Sequence, residues 1–297
     1  DRVKNWMTFN EPWVASICGN LYGAHAPGLK DVATTLAAAH GMLLAHGKSV
    51  PVLRANVPDA RVGIVNNLAW VEPAGGSEED RAAARRWDGA FNRWYMDPLF
   101  KGAYPQDMLD WFGPLAPEIR GGDLEAMAAP TDFFGLNYYT RRLVAHDRDD
   151  RFIRAKQVYR PYAYRAEFEE FEDWPEALYR VLIRLKEEYG NLPVYVTENG
   201  TTTADVLGDD GCVHDPVRVD YLRRHFAAAH QALAEGCDLR GYFVWSLVDN
   251  FEWGFGFSKR FGLVYVDYED ALRRIPKDSA RFYADVIRRN GFTVRSR

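Results

Sequence analysis

Five short β-type runs recur along the chain, each divided from the next by a longer stretch of helical pattern, and that alternation admits few folds. Strands alternating with helices mark successive βα units and a parallel sheet. The runs are Asn5 to Phe9, Arg61 to Asn66, Phe133 to Tyr138, Val194 to Thr197 and Gly241 to Leu247. The pattern predicts helices from Val32 to about Ser49, from the Ser77 cap through Trp94, and from Pro175 to Tyr189. Two more run from Asp215-Pro216 to Glu235, stopping at Gly236, and from Lys277 to Arg289. Residues 141 to 173 read as charged loop and irregular strand, and Phe261 to Tyr268 as a hairpin-like segment. A closed parallel barrel needs eight strands, whereas five on their own would suit an open doubly wound sheet. The pattern alone chooses neither.

In parallel α/β folds, sites gather at the carboxyl ends of the strands. Here those ends read Asn10-Glu11-Pro12-Trp13, Asn137-Tyr138-Tyr139, Thr197-Glu198-Asn199-Gly200, and Trp245 through Trp253. Carboxylates, amides, tyrosines and tryptophans therefore converge on one rim. Two facing carboxylates are what glycosidic bond cleavage requires, and indole rings beside polar groups suit a sugar ring with an apolar face and a hydroxyl fringe. Each motif alone has a plainer reading. Glu11 before Pro12 could be a surface turn, Asn199-Gly200 a turn with positive φ, and Trp245 and Trp253 core residues. Their joint occurrence is harder to dismiss. Seven aromatics in the sixteen residues from Tyr242 to Phe257 are interleaved with Asp249, Asn250 and Glu252, polar groups that a pure core segment would leave unsatisfied.

The segments Thr8-Phe9-Asn10-Glu11-Pro12, Asn137-Tyr138-Tyr139-Thr140, Val196-Thr197-Glu198-Asn199-Gly200 and Trp245 to Trp253 resemble the signatures of glycoside hydrolase family one, the retaining β-glucosidase and β-galactosidase family built on a (β/α)8 barrel. Gly23 to Gly28 and Ser258 to Gly262 fit the same resemblance, which runs over essentially the whole chain in the right order. It implies Glu11 as general acid/base and Glu198 as nucleophile. It implies Asn10 on the sugar 2-hydroxyl, Tyr139 donating to Glu198, and Asn137 supporting the cluster. Trp245 would stack under the ring, with Glu252 and Trp253 on its outer hydroxyls. A carboxyl separation near ~5 Å is expected, giving retention, and a negative Glu198 should keep Glu11 protonated at neutral pH.

Two departures qualify the resemblance. Phe171 stands where the family usually has an aglycone-site Trp. The Asn-Glu-Pro segment belongs to the family's fourth strand, so the expectation is a single partial domain over residues 1–297 that lacks the first three βα units, with the abrupt start at Asp1 read as a cut. The expected activity is hydrolysis of terminal non-reducing β-D-glucosyl, galactosyl or fucosyl residues. Glu252 disfavours a phosphorylated sugar. The alternative expectation is a non-catalytic fragment that needs a separate N-terminal piece, or that self-associates to cover an open barrel.

Composition narrows partners and compartment. A net charge of -5 argues against nucleic acid, no apolar run approaches the ~18 residues of a membrane span, and three scattered cysteines suggest a reducing, cytoplasmic setting. No cofactor or metal is expected. Gly41 to Ser49 only approximates a phosphate loop and lies in a helical pattern, and His40/His46 and His225/His230 lack the spacing of a helical metal pair. Asn199-Gly200-Thr201 forms a glycosylation sequon that overlaps the site motif and is read as coincidence.

Overall fold

The computed structural model describes residues 2–160 and 171–293. Ten strands occur among them: β1 (Asn5–Asn10), β2 (Arg61–Asn67), β3 (Val71–Pro73), β4 (Phe133–Asn137), β5 (Arg142–His146), β6 (Ala155–Val158), β7 (Val194–Glu198), β8 (Leu239–Tyr242), β9 (Val264–Asp267) and β10 (Arg273–Pro276). Five of them form one parallel sheet in the order β1-β2-β4-β7-β8. The register pairs Trp6 with Val62, Ile64 with Phe134 and Leu136 with Val196. The order follows the chain without reversal, whereas a doubly wound sheet reverses at its switch point. The doubly wound alternative is thereby removed.

The inner strands read as apolar runs because both of their faces are covered. All five residues of β4 are buried, as are Val62 to Asn66 of β2. Helices cover the outside. The helix Pro175–Glu188 presents Ala177, Leu178, Val181, Leu182 and Leu185 to the sheet, a stripe at helical spacing. The helix Glu78–Asp88 is capped by Ser77, carries Glu78, Glu79 and Asp80 in its first turn and has Arg85 and Arg86 in its last, all favourable to the helix dipole. A second small core of Tyr221, Leu222, Phe226 and Leu263 packs beneath the helix Asp278–Arg289.

Several expected boundaries shift, each for a tertiary reason. The first long helix does not stop near Ser49 but runs Val32–Asn56 through Pro51. Buried Val50 and the Arg54–Asp132 ion pair hold its last turns in place. The helix expected through Trp94 divides into Glu78–Asp88, a wide turn over Gly89–Arg93, and Trp94–Phe100. The expected strand Gly241 to Leu247 is instead Leu239–Tyr242, since beyond it the chain leaves the sheet for the rim. Residues 141 to 160 are more regular than expected: β5 and β6 pair antiparallel, and β3 adds to β5 in parallel. The part of that segment at 161–170 lies outside the described residues. The hairpin near Tyr268 pairs β9 with β10, so its second strand falls beyond the expected end. Short helices at Gln106–Phe112 and Asp123–Met127 were not anticipated. Among the described residues no helix is long and apolar enough to cross a membrane.

Candidate active site

Glu11 sits just past the carboxyl end of β1. Its amide donates to the Val65 carbonyl at 2.9 Å, tying it to the neighbouring strand. Its φ of 51° lies in the left-handed region, which costs an L-residue about 1–2 kcal/mol and marks a residue whose placement is imposed by its surroundings. Glu198 ends β7, and Asn137 ends β4 between the two, fully buried. Asn137 Nδ2 donates to Glu11 Oε1 at 2.7 Å and to Asn10 Oδ1 at 3.1 Å, while its Oδ1 accepts from Thr197 Oγ1 at 2.6 Å. Tyr139 donates its phenol to Glu198 Oε2 at 2.6 Å.

The electrostatics of the two carboxyls differ. Burial first, then the Glu198 charge and more weakly Glu252, push Glu11 up to about 8, against the hydrogen bond from Asn137. Burial also raises Glu198, but hydrogen bonds from Tyr139, Asn137 and Asn10 oppose it by favouring the ionised form. Burial dominates the rise of Glu11, and the charge of Glu198, the cause the sequence had suggested, comes second. Tyr139 is driven well above the ordinary tyrosine value by burial and by the neighbouring carboxylates, so it remains a donor. Two carboxyls with different protonation preferences can divide acid and nucleophile duties between them.

Asn10, Phe171, Trp245 and Glu252 connect to this cluster. Phe171 stacks on Tyr139, with ring centroids 5.2 Å apart and planes 21° apart. Glu252 receives a hydrogen bond from the Trp245 side chain, and burial and the Glu198 charge raise its carboxyl. Trp253 stands apart: it is 67% exposed and stacks on His25 with centroids 5.3 Å apart. Asn199-Gly200 is no positive-φ turn. A Cβ on Gly200 would lie 1.9 Å from the Trp245 carbonyl oxygen, so glycine is needed there for close approach of the rim segment. Asn199 is buried beside it, donating to the Tyr138 carbonyl and the Tyr221 hydroxyl, both at 2.8 Å.

The Asp249 side chain is fully buried in an ion network that sequence reasoning missed. It accepts from Lys277 Nζ at 2.9 Å and from Arg260 Nη1 at 2.5 Å. Lys277 also reaches Asp205 Oδ2 at 2.5 Å, and Arg218 pairs with both Asp205 and Asp215. Three cations thus meet three carboxylates, joining the segment after Glu198 to the segment bearing Trp245 and Glu252. The signal available was Asp249 itself, a charge inside an aromatic stretch that had to find a partner. Its partners are too distant in sequence to be read from spacing. Among the described residues no three His, Cys, Asp or Glu side chains converge in a way that could hold a metal ion.

Successive parallel βα units thus carry two carboxyls, Glu11 and Glu198, at the ends of their strands. Beta-glucosidase A of Thermotoga maritima is 45% identical over 293 residues, 98% of this chain and 65% of that protein. The 1,4-beta-D-glucan glucohydrolase of Thermotoga neapolitana is 45% identical over 295 residues, 99% of this chain and 65% of that protein. A solved structure described as a family 1 b-glucosidase from Thermotoga maritima superposes with a TM-score of 0.94 at 44% identity, covering 99% of this chain and 66% of that one. The model for glycosyl hydrolase family 1 matches residues 1–292. The chain belongs to glycosyl hydrolase family 1, whose fold is a (β/α)8 barrel, and it spans about two thirds of the length of the relatives it matches.

Proposed function

We propose that the chain carries the catalytic face of a retaining glycosidase acting on terminal, non-reducing β-D-glucosyl residues or their galactosyl or fucosyl counterparts. The observation that carries this reading is the pair of Glu11 and Glu198 at the strand ends, one held protonated and the other accepting the Tyr139 phenol at 2.6 Å, a bond that favours its ionised form. Glu198 attacks the anomeric carbon while Glu11 gives its proton to the departing glycosidic oxygen, leaving a glycosyl ester on Glu198. Loss of the Glu198 charge then lowers the Glu11 pKa. Glu11 takes a proton from water, the water oxygen displaces Glu198, and sugar leaves with its configuration retained.

Asn10 contributes to the 2-hydroxyl and Tyr139 orients the nucleophile. Trp245 forms the platform under the ring, with Glu252 and Trp253 on its outer hydroxyls and Phe171 on the leaving-group side. The names of the Thermotoga relatives favour a glucoside. Residues 1–297 are read as part of one (β/α)8 catalytic domain. Three widely spaced cysteines with no C-x-x-C pair favour a cytoplasmic location. Hydrolysis of 4-nitrophenyl β-D-glucoside, lost in Glu198→Gln and yielding β-glucose first in an NMR time course, is the expected result. Inverted product or full activity of the variant would refute it.

A second reading is favoured by the sheet edges. β1 and β8 each pair on one side only among the described residues, and Met7, Phe243 and Leu247 are exposed beside them. On this reading the chain hydrolyses substrate only when further polypeptide, or another copy of itself, covers those edges. An active chain that sediments as a monomer would exclude it.

A further inference from the structure

Arg141 takes no part in the chemistry above, yet its side chain is 1% exposed. It follows directly on the segment that supplies Asn137 and Tyr139 to the site. Its Nε donates to Glu172 Oε2 at 2.6 Å, its Nη1 donates to Glu72 Oε2 at 2.8 Å, and its guanidinium carbon lies 3.5 Å from the centroid of the Trp174 ring. Glu172 is equally buried. Two hydrogen bonds fasten its backbone to the residue before Arg141: its amide donates to Thr140 Oγ1 at 2.8 Å, and Thr140 Oγ1 donates to its carbonyl at 3.0 Å. The second carboxylate oxygen of Glu172 accepts the Arg160 amide at 3.1 Å.

A buried ion pair is weak evidence for stability, because desolvating the two charges offsets most of their attraction. What this pair does provide is register. It fixes residues 171–172 against residues 140–141, and Phe171 is the ring stacked on Tyr139, whose phenol reaches Glu198. A planar guanidinium held at Nε, at Nη1 and over an indole face has little freedom to rotate. A shift of residue 172 would therefore move Phe171 and release the Tyr139 ring.

We infer that Arg141, through its ion pair with Glu172, is a positioning residue that holds Phe171 flat on Tyr139 and thereby keeps the Tyr139 phenol aimed at Glu198. The inference rests on the reading of Glu198 as nucleophile only for its catalytic meaning. The coupling itself is measurable without turnover.

The test is a 13C NMR titration of the Glu198 carboxyl in the full chain, with the signal assigned by its absence in Glu198→Gln. The Tyr139 hydrogen bond favours the ionised carboxylate, so Tyr139→Phe raises the midpoint and sets the scale. Arg141→Met is expected to raise it by about half to one pH unit, a fraction of a hydrogen bond's effect on a carboxyl. Phe171→Leu, which leaves the ion pair intact, is expected to reproduce that rise. Glu72→Gln, which keeps the Arg141–Glu172 bond, is expected to leave the midpoint in place. A folded Arg141→Met protein whose Glu198 titrates as in the parent, while Tyr139→Phe shifts it, overturns the inference. If Arg141→Met does not fold, an unmoved midpoint in Phe171→Leu overturns it instead. Hydrolysis that survives Glu198→Gln would refute the nucleophile assignment without touching this result.

Discussion

Replacing Glu11 by Gln should stabilise the protein, and increasingly so as the pH rises. The carboxyl moves from an ordinary 4.5 to about 8 in the folded chain, chiefly because it is buried and secondly because Glu198 is near. A folded-state pKa above the unfolded one means that the native state holds the proton more tightly. The associated stability is fully present below about 4.5 and is lost progressively as the pH climbs through about 8. At about 1.36 kcal/mol per unit, the full shift amounts to about 5 kcal/mol, of which about 3 kcal/mol is already lost at pH 7. Glutamine carries no charge at any of these pH values and keeps an oxygen for the Asn137 amide, which lies 2.7 Å from Glu11 Oε1. Urea unfolding of parent and variant at pH 5, 7 and 9 measures the effect. The variant should exceed the parent by about 1 kcal/mol or less at pH 5, about 3 kcal/mol at pH 7 and about 5 kcal/mol at pH 9. A stability difference that stays constant across that range would refute the account, because only an ionising Glu11 makes it grow.

The other expectations are narrower. Lys277→Met should cost about 3–5 kcal/mol in chemical denaturation, because Asp205 and Asp249 would keep buried charges without their shared cation; a change within experimental error would show that the network relaxes freely. Gly200→Ala places a methyl 1.9 Å from the Trp245 carbonyl, so a loss of about 1–3 kcal/mol with altered near-UV signals of the rim tryptophans is expected. In a histidine NMR titration, His214, between Asp278 and Asp210, should titrate above 6.5, while buried His46 and His225 fall to about 4. The reverse order would contradict the carboxylate partners of His214 and the burial of the other two.

Much of the site was legible because it sits where local sequence fixes position. Asn137 and Glu198 each end a strand and Glu11 directly follows one, and parallel strands aim those ends at one rim. Helix starts were equally plain at Ser77 and Pro175, where a cap or a proline marks the first turn. Boundaries failed where packing outweighs local preference: Pro51 lies inside a helix held by Val50 and Arg54, and Phe243 to Leu247, strand-like in composition, leave the sheet to build the rim. The hairpin of β5 and β6 was read as irregular because its strands are short and charged and gain their order by pairing with each other and with β3.

The sequence by itself determined the βα alternation, the two carboxyls and the family resemblance, because each is written in residues adjacent along the chain. Only the tertiary structure decided which charges are paired and how each carboxyl is poised. Asp249 pairs with Lys277, Arg141 closes on Glu172, and Glu11 is raised by burial more than by Glu198. Desolvation and long-range pairing depend on what surrounds a group in space, and segments far apart in the chain supply those surroundings.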